Sequence, residues 1–91
     1  MRCRWDIAKD RKLRDDSQRG MGFEVVAQIF DHPYFLDQKN DDPEQYRAIG
    51  FVNAQLVTLI FEHREDDEGE YYHLVTYWRS TKAERRLYEK A

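Results

Sequence analysis

With 91 residues the chain is sized for one domain, since domains usually run to about 100–150 residues. Hydrophobic residues make up 41 % and charged residues 36 %, too apolar for a disordered chain and too charged for a membrane protein. Cys3 is the only cysteine, which excludes an internal disulfide and a disulfide-dependent secreted scaffold. The start, Met1 to Asp6, has no apolar stretch that could serve as a signal peptide. The longest apolar run, Leu56 to Phe61, is far too short to span a bilayer. The expectation is one soluble, cytoplasmic domain over residues 1–91.

The net charge of −3 is unevenly spread. Residues 1–20 carry seven basic against four acidic side chains, and residues 72–91 five against two, each +3. Residues 21–71 carry three basic against twelve acidic, or −9. If the two ends meet in space, they make a basic patch on an acidic body, a surface suited to an anionic partner. The plainer alternative is a set of solvated helix faces.

Arg2-Cys3-Arg4-Trp5 alternates polar and apolar residues and reads as a short edge strand. Asp6 can cap a helix that runs through Ile7, Ala8 and Leu13 and ends by Asp15-Asp16-Ser17. Gly20-Met21-Gly22 breaks the chain. Phe23, Val26, Ala27 and Phe30 then fall at i, i+3, i+4 and i+7, the spacing of an amphipathic helix that Pro33 must end. Tyr34-Phe35-Leu36 suits a short strand, and Gln38 to Pro43 reads as a polar loop.

Three sheet segments follow. Tyr46 to Val52 reads as a strand with a bulge at Gly50. Gln55 to His63 is apolar on both faces and so central in the sheet. Tyr71 to Arg79 is rich in β-branched and aromatic residues. Asn53-Ala54 and the acidic tip 65–70, with Gly69 as turn residue, make the two connections. Thr81-Lys82-Ala83-Glu84 is a capping box that opens a closing basic helix.

No glycine-rich phosphate loop, paired metal-ligand spacing or nucleophile elbow occurs, and the acidic tip lacks the spacing of a calcium loop. Neither a metal nor a cofactor is expected. The third strand carries more. Alternation would put Tyr71, His73, Val75, Tyr77 and Arg79 on one face, with Arg64 of the neighbouring strand able to join them. Rings beside cationic donors are what single-stranded RNA binding uses; the alternative is ordinary half-buried tyrosines and surface arginines.

Several segments, in order, resemble the BrnT toxins of bacterial type II toxin–antitoxin pairs. They are Trp5-Asp6 with Lys9, a Gly shortly before Phe23-Glu24, Phe30-Asp31-His32-Pro33, Glu44-Gln45-Tyr46-Arg47-Ala48-Ile49-Gly50, and Glu84-Arg85-Arg86-Leu87-Tyr88-Glu89. The likeness covers nearly the whole chain, and its weight lies in the succession. It implies a RelE-like α+β fold with two N-terminal helices, an antiparallel sheet of about four strands and a C-terminal helix. It also implies metal-independent RNA cleavage and neutralisation by a BrnA-like antitoxin, with DNA reached only through that antitoxin.

Such cleavage needs a base for the ribose 2′-hydroxyl, cations for the phosphate and an acid for the leaving oxygen. Lys9, Arg64 and Arg79 are the candidate cations. His73, His63 or Glu62 would handle the proton, Tyr71 and Tyr77 would stack bases, and Trp5 would either stack or join the core. The chain departs from the family at Leu13 (usually Asn), at Gln18-Arg19-Gly20 (Lys-His-Gly, two residues earlier), at His73 (commonly Arg) and at Thr76-Tyr77-Trp78 (Ser-Ala-Arg). The last change leaves Arg79 one position late, and one position flips a strand side chain unless a bulge restores it. The competing reading is a catalytically degenerate relative that only binds protein or RNA; a generic small-molecule domain has size alone in its favour. Convergence of Lys9, Arg64 and Arg79 in one cleft would favour the enzyme, and Trp78 in that cleft the binding module.

Overall fold

The alternating start of the chain does form a strand. In a computed structural model that describes residues 1–90, β1 (Arg2–Trp5) lies at one edge of a five-stranded sheet. Asp6 then caps α1 (Ile7–Asp15), its carboxylate accepting from the Lys9 backbone N–H at 2.9 Å. After Gly22 the amphipathic stripe begins as α2 (Phe23–Val26) and tightens into a 3₁₀ turn over Ala27–Asp31. Four strands follow: β2 (Tyr34–Asp41), β3 (Glu44–Val52), β4 (Gln55–Asp66) and β5 (Gly69–Arg79). The chain closes on α3 (Lys82–Lys90), where the Thr81 and Glu84 side chains exchange capping hydrogen bonds with each other's backbone N–H at 3.2 and 2.8 Å.

The strand order is β1-β5-β4-β3-β2, with β1 parallel to β5 and every other neighbour antiparallel. This corrects the expected plan of two N-terminal helices leading into about four antiparallel strands. A strand precedes the helices and pairs parallel with the last strand, and the second helix is half 3₁₀. It also corrects the loop expected at Gln38 to Pro43: β2 continues to Asp41 through a register shift near Lys39, and only Asp42-Pro43 turn.

The sheet has two faces. α1, α2 and the 3₁₀ turn cover one of them, here the α1 face, with Leu13, Phe23, Val26 and Ile29 packed on Ala48, Val57, Leu59, Leu74 and Tyr77. α3 covers part of the other, the α3 face. There Tyr88 meets Phe51 edge-on at 5.5 Å, and Glu84 accepts from the Trp78 indole at 3.0 Å. β4 is central, as its two apolar faces predict, and Leu56 to Phe61 are buried on both sides. Gly50 lies in a regular ladder; a Cβ there would sit 2.9 Å from Ile29 Cγ1, so the glycine admits the 3₁₀ turn.

Candidate functional site

β4 and β5 pair with Glu62 opposite His73 and Arg64 opposite Tyr71. Paired residues project to the same side, so these four share the α3 face, toward the β4–β5 hairpin and away from the part that α3 covers. β1 adds Arg2 opposite Tyr71 and Arg4 opposite His73. Both guanidinium carbons stand 5.4 Å from the Tyr71 ring centroid, within cation–π range. Three arginines thus flank a tyrosine and a histidine on an open stretch of sheet.

Carboxylates hold the arginines in place. Glu62 pairs with Arg64 and accepts from the Gln45 amide at 2.8 Å. Arg2 and Arg4 each donate to Asp66, at 2.7 and 2.9 Å. The Gln45 hydrogen bond, then Arg64, hold the Glu62 carboxyl below the usual carboxylate range against the opposing effect of burial. Burial and then Arg64 push the His73 imidazole below its ordinary value, with Glu62 acting in the opposite sense. The cluster therefore offers, at neutral pH, an uncharged imidazole, an ionised carboxylate, a phenol and three guanidinium groups. Chemically these are a proton acceptor, a hydroxyl donor and a fork-shaped set of anion donors.

The remaining expected residues lie elsewhere. β5 carries a bulge, since Leu74 pairs with Phe61 while Thr76 pairs with Ile60, leaving Val75 unpaired. The face assignment is thereby corrected: Tyr77 and Arg79 point to the α1 face, opposite Tyr71 and His73. Tyr77 is fully buried, its hydroxyl accepting from the Met21 N–H at 2.9 Å and donating to the Met21 carbonyl at 2.8 Å. A buried ring cannot stack a base. Arg79 is exposed opposite Val57. Trp5 packs 6.0 Å from Phe23 in the α1-face core, and Lys9 rides on α1, which docks on that face through Leu13. Lys9, Arg64 and Arg79 do not converge. His63 also faces the α1 side, opposite Tyr72, and Trp78 sits under α3 bonded to Glu84.

Nothing in the sequence marks Arg2 and Arg4 as site residues. Their alternation with Cys3 and Trp5 signals a strand, but nothing local signals which strand it joins. No protein-family model matches the chain, and no curated protein matches it significantly.

Proposed function

We propose that the chain is a BrnT-like ribonuclease toxin, acting on RNA in the bacterial cytoplasm without a metal and neutralised by a BrnA-like antitoxin. One observation carries the reading: Glu62, Arg64, Tyr71 and His73 project together with Arg4 from the open part of the α3 face. In the proposed reaction His73 accepts the proton of a ribose 2′-hydroxyl. The freed 2′-oxygen attacks the adjacent phosphorus, and the bond from phosphorus to the 5′-oxygen breaks. Arg64 and Arg4 donate to the non-bridging phosphate oxygens as charge builds there. The Tyr71 hydroxyl protonates the departing 5′-oxygen. His73 then gives up the proton it took to solvent water, and the Tyr71 phenolate takes one back from it, so both groups are reset with no net proton change. The products are a 2′,3′-cyclic phosphate and a 5′-hydroxyl. Glu62 acts through Arg64, whose guanidinium it orients.

A second reading, a degenerate BrnT-like module that binds RNA or protein without cleaving, is favoured by a different observation. Lys9, Arg64 and Arg79 do not converge in one cleft, as the enzyme reading expected of them, and the cluster arginines are already engaged by Glu62 and Asp66, while Trp78 lies under α3 and outside the cluster. Induced expression in a bacterial host separates the two. The ribonuclease reading expects growth arrest with RNA decay from the wild-type chain, abolished in a folded His73→Ala, Arg64→Ala double variant. Normal growth and intact RNA with abundant folded wild-type protein would support the degenerate module.

A further inference from the structure

On the α1 face, beyond the reach of α1 and α2, Leu36, Tyr46, Phe61, His63 and Tyr72 line an open hollow of about 110 Å³. Its floor is aromatic: Phe61 lies 4.6 Å from Tyr72 and 5.8 Å from Tyr46, and His63 lies 5.7 Å from Tyr72. Leu36 is 50 % exposed at its edge. The rim is acidic. Glu65 and Glu70 pair on the β4–β5 hairpin, two residues beyond His63 and before Tyr72, and so project to the same side. Glu70 stands 3.7 Å from His63 Nε2. Glu44 accepts from the Tyr46 hydroxyl, and Asp41 pairs opposite Glu44. Arg47 and Arg64 project from the other face, and Arg79 stands at the far end of β5.

We infer that this surface docks a basic, partly apolar segment of a partner protein. Its arginine or lysine side chains lie over the Tyr46 and Tyr72 rings and against Glu44, Glu65 and Glu70, and an apolar side chain enters the hollow beside Leu36. Charge complementarity selects this occupant, because four rim carboxylates attract a cationic chain and repel a nucleic-acid backbone. The surface lies on the face opposite the His73 cluster, so it stands whether or not that cluster cleaves RNA.

The test titrates a synthetic peptide of alternating arginine and leucine into the isotope-labelled full chain and follows its NMR spectrum. A peptide of alternating glutamate and leucine serves as the control. Saturable binding is expected with the basic peptide alone, with shifts centred on His63, Tyr46 and Tyr72. A Glu44→Gln, Glu65→Gln, Glu70→Gln triple variant, which alters only exposed carboxylates, should bind about tenfold more weakly. Absence of saturable binding, shifts centred on His73 and Arg64, or undiminished binding by the folded triple variant would each overturn the inference. So would self-association of the chain through this face that the triple variant dissolves, which would make a second copy the occupant.

Discussion

His73 shows how much one side chain owes to its neighbours. Burial and the Arg64 guanidinium lower its pKa from the ordinary 6.5, Glu62 notwithstanding. A base must be unprotonated to act, so cleavage is expected to rise with pH through the region below 6.5 and to level off above it. A pH–rate profile checks this, and a rate that falls with rising pH across that range would remove His73 as base. His73→Ala should lower the rate by about 10²–10⁴-fold. Glu84 is the structural counterpart. Burial raises its pKa, but the Thr81 N–H and the Trp78, Thr58 and Thr81 side chains outweigh this and leave it lowered. A depressed carboxyl contributes stability above its unfolded pKa and loses it as pH falls through the folded one. Glu84→Gln is expected to cost about 1–3 kcal/mol at neutral pH, read as a lower urea midpoint at unchanged slope. The capping role of Glu84 was legible in the Thr81-to-Glu84 spacing. Its bond to Trp78 was not, because it depends on the side of the sheet to which β5 turns that indole.

At the scale of elements, two short segments decide the geometry. Asn53 and Ala54 both take positive φ, 48° and 66°, the conformation of a tight hairpin turn. Ala54→Gly relieves a backbone strain of about 1–2 kcal/mol against a gain in unfolded-chain freedom of about 0.4–1 kcal/mol. A modest rise in the urea midpoint is expected, and a fall would show that the turn is already relaxed. Gly50 is the opposite case, with Ile29 Cγ1 at 2.9 Å and Tyr34 Cβ at 3.1 Å from where a Cβ would stand. Gly50→Ala should therefore destabilise the fold by about 1–3 kcal/mol. Helix starts at Asp6 and Thr81, the central place of β4 and the Asn53-Ala54 turn could all be read from local pattern. The Val75 bulge could not. A run of β-branched and aromatic residues keeps strand propensity on either side of a bulge, and the swap of faces becomes visible only when the β4 partners are known. Strict alternation therefore put Tyr77 and Arg79 beside His73, while the parallel partner of β1 went unseen because pairing across most of the chain leaves no local trace.

Across the whole molecule, the charged ends part company. α1 packs on one face of the sheet and α3 on the other, so the basic side chains of these two helices do not merge into one patch. Arg2 and Arg4 instead join Arg64 around Tyr71, while Glu44, Glu65 and Glu70 stand on the far side. A molecule of net charge −3 can still hold RNA if few phosphates are contacted and the cluster arginines exchange Glu62 and Asp66 for phosphate oxygens. Engagement of three phosphates by these arginines gives log affinity a slope of about −2 against log salt, measurable by anisotropy with a short single-stranded RNA and the His73→Ala variant. A slope near zero would mean that the arginines stay with their carboxylates. The most direct measurement is of the RNA ends themselves, from total RNA and translating ribosomes incubated with the purified chain in the presence of a chelator. New 2′,3′-cyclic phosphate and 5′-hydroxyl ends are expected from the wild type and from Arg79→Ala, with at least about a hundredfold fewer from Arg64→Ala or His73→Ala. Ends at the wild-type level in both cluster variants, or no new ends from the wild type, would contradict a ribonuclease site at this cluster.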